Sequence, residues 1–333
     1  MSNKPRRIRL HIENLRAQPP VFHITPARFD DACRRHPDLA ARLDTTTCWD
    51  NETFERDMRS AEVMIGWRFP RDRFAERAPD LRWIQMTGAG IEHVMPLDWL
   101  PPEATLTNNA GVHAFKAGEF IAMAILALNT RLPFFATNKE ERHWEKFFAT
   151  AVPGKTLVAI GVGHMGSAGA ERAKGLGMRV IGVRASGRPS PHADEMVTPD
   201  RLHEVLPRAD ILLVSVPLTP ETRGLIGRPE LDLLKPEAGL INVARAGVVD
   251  YTALARKLHA GELSGAILDV FDPEPLPADS FLWETPNLIL TPHVSSDDAE
   301  RYIPLTLDFF FENLDRYLTG RTLRNAVDRA RWY

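Results

Sequence analysis

Cysteine is scarce in this chain: only Cys33 and Cys48 occur among 333 residues, in no metal or redox spacing. That excludes a disulfide framework or a zinc module and fits a reducing compartment, with both thiols read as packing residues. An excess of one charge is lacking too. Lys and Arg number 41 against 44 Asp and Glu, a formal net charge of −3, so bulk electrostatics favour neither nucleic acid nor an anionic membrane. Long apolar runs are missing as well. The longest, Phe120–Leu128, is less than half of the ~20 residues that a spanning helix needs. The opening Met1-Ser2-Asn3-Lys4-Pro5-Arg6-Arg7 precedes alternating Ile8-Arg9-Leu10-His11-Ile12 with no apolar signal core. No repeat or low-complexity tract interrupts the rest. What remains is a chain that is 44% apolar and 26% charged, the composition of a soluble globular protein, and its length predicts two domains. The expected location is the cytoplasm, with no membrane or nucleic-acid partner and no metal.

The stretch Thr156–Ser190 organises the chain. Leu157-Val158-Ala159-Ile160 has the length and residue types of a buried strand, and Gly161-Val162-Gly163-His164-Met165-Gly166 follows it. A helical segment then runs to about Gly177, and a second apolar run spans Met178–Val183. Strand, glycine turn, helix and strand within about thirty residues predict a dinucleotide site. Gly161 permits the tight turn, Gly163 admits a pyrophosphate to the backbone, and Gly166 lets the helix pack on the strand. His164 and Met165 open that helix, whose first N–H groups and dipole favour phosphate. The alternative is a glycine-rich turn in an ordinary α/β unit. After Val183, where an NAD site usually places a carboxylate, the chain reads Arg184-Ala185-Ser186-Gly187-Arg188, and no acid appears before Asp194. Two guanidiniums and a hydroxyl suit a 2′-phosphate, so NADP(H) is the preferred cofactor and NAD(H) the possible one. A solvated basic loop is the competing reading.

Along the chain, Ile8–Ile12, Thr45–Trp49, Val63–Trp67, Trp83–Met86 and Thr105–Asn109 are strand-like, with amphipathic segments between them. They predict a small α/β domain with a parallel sheet. Its last loops include Trp67-Arg68-Phe69-Pro70 and Thr87-Gly88-Ala89-Gly90-Ile91-Glu92. The second reads equally as an N–H pocket for a carboxylate or as a plain strand-to-helix turn. Glu119–Asn129 is apolar on nearly every side and is expected to be buried, between domains or subunits. Arg131–Phe148 gathers Phe134, Phe135, Trp144, Phe147 and Phe148, which read either as closing a core or as an oligomer interface. Further strands are expected at Asp210–Val216, stopped by Pro217, and at Gly239–Arg245, Gly265–Val270 and Asn287–Leu290. Ligands in doubly wound folds lie beyond the carboxyl ends of strands, which groups Pro217, Arg245, Asp269 and His293 around one crevice. The last helix, roughly Ala299–Leu318, has one apolar stripe and is expected to fold back onto the N-terminal domain.

Arg245, Glu274 and His293 form a complete set for reducing a 2-keto acid. A histidinium stabilises the developing alkoxide and supplies its proton, a carboxylate on the other ring nitrogen fixes the tautomer, and an arginine orients the substrate carboxylate. Singly, each has a structural alternative: a core histidine, a surface arginine, a loop glutamate.

Gly161–Gly166, Val216-Pro217-Leu218-Thr219-Pro220-Glu221-Thr222, Asn242-Val243-Ala244-Arg245-Ala246-Gly247-Val248-Val249-Asp250, Leu268-Asp269-Val270-Phe271-Asp272-Pro273-Glu274-Pro275 and Thr291-Pro292-His293 stand in the order of the D-isomer-specific 2-hydroxyacid dehydrogenases. The chain resembles that family most over about residues 105–296 and weakly over the first 80. The resemblance implies that Arg245 binds substrate, that Glu274 pairs with the catalytic His293, and that Asp269 contacts the nicotinamide amide. It implies that Val216, Pro217, Thr222, Val243 and Ala244 line the cofactor, and that Gly88-Ala89-Gly90, with Trp67 nearby, receive the substrate. Glu119 aligns with a family glutamate and reads as structural. Two departures stand out: Ala246 replaces the usual glycine after the arginine, and Arg184, Ser186 and Arg188 look like the NADP-using glyoxylate/hydroxypyruvate reductase branch. Glu274 argues against the formate dehydrogenase branch, which places Gln beside its histidine.

The resemblance implies an α/β fold of two doubly wound parallel-sheet domains: a Rossmann-type cofactor domain, 106–296, inserted in a smaller flavodoxin-like substrate domain, 1–105 plus 297–333. A cleft between them is expected to close on substrate. The expected reaction is reduction of a small 2-keto acid, glyoxylate or hydroxypyruvate, by NADPH to the (R)-2-hydroxy acid, in a homodimer. The alternatives are an NAD-linked dehydrogenase for a bulkier substrate and a non-catalytic, corepressor-like dinucleotide binder. The end at Tyr333 without a long polar tail speaks against the last.

Overall fold

The computed structural model describes residues 6–329; the leader residues Met1–Pro5 and the terminal Tyr333 lie outside them. The chain divides into two compact units. One comprises the described residues up to His113 and those from Asp297 onward, and the other is Ala114–Ser296. The expected first division at 105/106 falls inside a strand, and the first unit continues through residues 106–113.

In the first unit, β1 (Ile8–Asn14), β2 (Leu43–Trp49), β3 (Val63–Gly66), β4 (Trp83–Met86) and β5 (Thr105–Thr107) form one sheet. Its order is β2-β1-β3-β4-β5 with every pair parallel, the flavodoxin-like winding. The central strands β3 and β4 are buried at every residue, and alternate residues part to opposite cores. Val63, Ile65 and Trp83 join Ile8, Leu10 and Ile12 under the helix Tyr302–Leu318. Met64, Ile84 and Met86 join Phe54, Phe69 and Phe74 on the other face. The C-terminal helix folds back as its stripe requires. Phe310 stacks on Trp83 with centroids 5.1 Å apart, and the Trp83 Nε1–H donates to Thr107 Oγ1 at 2.8 Å. Burying a Phe of this kind contributes about 2–3 kcal/mol.

In the second unit, β6 (Thr156–Ile160), β7 (Arg179–Val183), β8 (Glu195–Val197), β9 (Ile211–Val214), β10 (Gly239–Asn242), β11 (Gly265–Leu268) and β12 (Leu288–Leu290) form a parallel sheet. Its order, β12-β11-β10-β9-β6-β7-β8, reverses direction between β6 and β9. That is the Rossmann arrangement with its switch point beside the glycine turn. Sequence patterning misses β8. Three residues are too few to show alternation, and Glu195 holds this edge by ion pairs to Arg179 at 2.9 Å and Arg208 at 2.6 Å. Those partners pull the Glu195 carboxyl down to about 2.

The apolar helix, Ala114–Asn129, buries Ile121, Ala124, Ile125 and Leu128 within its unit and exposes Phe115, Met123 and Leu126, so of the expected burial this unit supplies one face. The neighbouring helix Leu132–Glu140 and the segment after it expose Leu132, Phe135, Trp144, Phe147 and Phe148 on the same unit. Among the described residues Arg172 lies over the Phe115 ring and Arg131 over the Phe147 ring, and both rings remain exposed.

Candidate active site

The glycine turn after β6 has the shape that a pyrophosphate needs. Gly161 sits at φ +89°, and a Cβ there would lie 2.7 Å from Val216 Cγ1 and 2.9 Å from the Ser215 backbone. A Cβ on Gly166 would overlap the Gly161 carbonyl oxygen, so only glycine lets the helix His164–Gly175 start so close to the strand. A Cβ on Gly163 would meet nothing within 4 Å, which leaves open space where phosphate would approach the helix start. These glycines fit a dinucleotide cradle, with His164 and Met165 supplying the first helical N–H groups.

Just past β7, Arg184, Ser186 and Arg188 share one tight turn, closed by Gly187 N–H to the Arg184 carbonyl at 3.0 Å with Gly187 at φ +60°. The Arg184 guanidinium reaches back to the Val162 carbonyl of the glycine turn, so that side chain lies against the cradle. Asp194, the nearest downstream acid, is bound at the other end of β7. It accepts from Val180 N–H at 2.8 Å and pairs with Lys174 at 2.5 Å. Beyond β9, the Thr222 hydroxyl donates to the Pro217 carbonyl at 2.6 Å and accepts from Thr219 N–H at 2.8 Å, which shapes the loop after Val216.

Adjacent strands bring the polar set together. Asn242 pairs with Leu268 and Leu268 with Leu290 in register. The segments carrying Arg245 and His293 therefore leave the sheet about 10 Å apart, with the Glu274 segment between them. Asp269 is fully buried beneath that rim. Its carboxylate accepts from Thr291 Oγ1 at 2.6 Å, Val294 N–H at 2.9 Å and Ser295 N–H at 3.0 Å. These bonds wrap residues 291–295 around one side chain and hold His293 at φ +55°, a left-handed position that non-glycine residues seldom take. His293 Nδ1 lies 2.8 Å from Glu274 Oε2, while Glu274 Oε1 accepts from Phe271 N–H at 2.9 Å. The pair stands at the surface of its unit, partly exposed, with Nε2 the ring nitrogen that Glu274 does not engage. Arg245 directs Nη1 to the Ala244 carbonyl at 2.7 Å, and Val243 and Ala244 are buried in the turn before it.

In the first unit, Trp67 covers Gly88 so closely that a Cβ there would fall 2.5 Å from the indole. The Trp67 ring also contacts His93, with centroids 4.2 Å apart, and burial lowers the His93 pKa. The carbonyls of Thr87, Gly88 and Ala89 accept from Asn109 Nδ2, Asn109 N and Asn108 Nδ2 at 2.7, 2.9 and 3.0 Å. In a trans peptide the next N–H points opposite to the carbonyl, so the N–H groups of Gly88, Ala89 and Gly90 turn away from those asparagines together. Patterning misses Asn108 and Asn109; two amides directly after a strand were the available signal.

A model of the D-isomer-specific 2-hydroxyacid dehydrogenase NAD-binding domain matches residues 122–295, more than half of the chain. The chain belongs to this family. Among its relatives is a glyoxylate reductase from Thermococcus gammatolerans, 33% identical over 250 residues, covering 72% of this chain and 74% of the relative. A family member from Xanthobacter autotrophicus Py2, solved with NADPH and MES, superimposes with a TM-score of 0.84 at 27% identity, covering 97% of this chain and 99% of that one. An NADPH-dependent glyoxylate/hydroxypyruvate reductase from Sinorhizobium meliloti, solved with NADP and sulfate, gives a TM-score of 0.81 at 25% identity with the same coverage. The protein is an NAD(P)-dependent dehydrogenase of this family with its two parallel-sheet domains. Among the described residues no single helix is long and apolar enough to cross a membrane.

Proposed function

We propose that this enzyme reduces a small 2-keto acid, glyoxylate or hydroxypyruvate, with NADPH to the (R)-2-hydroxy acid. The observation that carries this reading is the Glu274–His293 pair at 2.8 Å, on the same sheet rim as Arg245 and the glycine cradle. The bound cofactor supplies hydride. Arg245 holds the substrate carboxylate and orients the keto carbon. His293, with Nδ1 committed to Glu274, offers Nε2 to the keto oxygen, stabilises its developing charge and delivers the proton. Glu274, held against Nδ1, fixes the tautomer and orientation of the ring. The N–H groups of Gly88, Ala89 and Gly90 serve as further donors to the carboxylate, and Trp67 bounds the space for the substituent. Asp269 acts through its hold on the His293 loop.

The preference for NADPH rests on the Arg184-Ser186-Arg188 turn and on the position of Asp194 at the far end of β7. The relatives solved with NADPH or NADP support it. We further propose that the protein acts in the cytoplasm as a homodimer. Trp144 and Phe148 are 90% and 86% exposed, Phe115, Met123 and Leu126 of the same unit are exposed as well, and a second copy would cover such apolar side chains.

The test of function is direct. The enzyme mixed with NADPH and glyoxylate or hydroxypyruvate should bleach the reduced-cofactor absorbance, and His293→Ala should abolish that while NADPH still binds. A wild type inert toward both acids in the presence of NADPH would refute the reading.

A further inference from the structure

Beneath the proposed reaction centre lies a polar network that the chemistry above does not use. Asn242, at the end of β10, is fully buried. Its Oδ1 accepts from Ala244 N–H at 3.0 Å, and its Nδ2 donates to the Arg245 carbonyl at 3.2 Å and to the Tyr251 hydroxyl at 2.9 Å. The Tyr251 hydroxyl in turn donates a hydrogen bond to the Val270 carbonyl at 2.8 Å. Val270 is one residue from Phe271, whose N–H is held by Glu274 Oε1 at 2.9 Å, and the Tyr251 and Phe271 rings lie 6.4 Å apart. Tyr251 opens the helix Tyr251–His259, which Asp250 caps by accepting from Ala253 N–H at 3.0 Å, so its backbone is fixed independently of the network.

One hydroxyl therefore sits between two chain segments, beyond the end of the β-ladder that joins them. It accepts from the turn that carries Arg245 and donates to the segment that carries Glu274. We propose that Tyr251 is a positioning residue, which with Asn242 fixes the spacing between the substrate-holding Arg245 and the Glu274–His293 pair. The chemistry makes the choice of side chain specific. Phenylalanine would fill the same space but leave the Val270 carbonyl and one Asn242 N–H unpaired in a buried place, and both segments would shift to find partners. Reaction geometry is sensitive to such shifts, because a misplacement of about 1 Å costs up to about a hundred-fold in rate. The glycine cradle follows β6, with β9 between it and β10, so the network adjoins only the Val243-Ala244 turn of the proposed cofactor lining and cofactor affinity should change less than substrate affinity.

This inference rests on the proposed keto-acid reduction, and its test separates the two. Wild type, Tyr251→Phe and Tyr251→Met are compared for kcat and KM with glyoxylate, for NADPH affinity by fluorescence, and for affinity of the NADPH complex toward oxamate, an unreactive keto-acid isostere. Tyr251→Phe should lower kcat/KM about ten-fold and weaken oxamate by a similar factor, with NADPH affinity within two-fold of wild type. An inactive wild type would overturn the reading of function and this inference with it. An active wild type whose variants keep full kcat/KM, or lose NADPH and oxamate affinity equally, would overturn the positioning role alone. Two variants that are unfolded at 25 °C would assign the hydroxyl to stability and likewise overturn it.

Discussion

His113 gives this protein a calculable sensitivity to acid. The ring is 92% buried, stacks on Tyr302 with centroids 3.9 Å apart and planes 11° from parallel, and has no hydrogen-bond partner at either nitrogen among the described residues. Burial pushes its pKa from 6.5 down to about 4, against a weak opposing pull from Asp298. The folded protein therefore prefers the neutral ring. Stability is complete above about pH 6.5 and is lost as the pH falls from there toward about 4, where the unfolded chain takes up a proton that the folded one refuses. From pH 7 to pH 5 the unfolded ring becomes almost fully charged and the folded ring only about a tenth so, a loss of about 2 kcal/mol; the full loss below pH 4 is about 3 kcal/mol. His113→Phe keeps an aromatic ring against Tyr302 and removes the proton. Urea unfolding at pH 7 and pH 5, followed by tryptophan fluorescence, should show the wild type losing about 2 kcal/mol more than the variant between the two conditions. Equal losses in the two proteins would refute the argument.

Replacing Arg184 and Arg188 together by Gln should raise the KM for NADPH at least about ten-fold, from charge-assisted bonds of about 1.5–3 kcal/mol each, and change that for NADH less than about two-fold. Steady-state kinetics with both cofactors decides it, and equal effects would show that these arginines do not read the phosphate. The protein should run at twice the mass of one chain by light scattering at micromolar concentration, and Trp144→Ser with Phe148→Ser should shift it to the monomer; a monomeric wild type would refute the proposed dimer.

Much of this molecule is written locally. The run Leu157–Ile160, the three glycines and the following helix announce a cradle because each feature acts within a few residues: a positive φ, an open Cβ position, a close helix start. The short, nearly continuous apolar runs of β3 and β4 likewise predict a sheet covered on both faces, since successive side chains point to opposite sides of a strand. The glycine loop after β4 was readable as two things, and only the asparagines across the sheet, Asn108 and Asn109, fix which way its N–H groups turn.

Other features were decided beyond the reach of local pattern. Glu195 in β8 is paired at the sheet edge by Arg179 and Arg208 across the ladder to β7, and Met123 and Leu126 of the helix Ala114–Asn129 stay exposed among the described residues. By itself the sequence supplied the residue types of the centre, Arg245, Glu274 and His293, and their order. Tertiary structure alone set the register that aligns β10, β11 and β12, the Asp269 bonds that turn the His293 loop, and the Tyr251 hydroxyl between two segments. The physical reason is range. Backbone preferences act over a few residues, whereas a hydrogen bond between side chains distant in sequence forms only after packing has brought them within about 3 Å of each other.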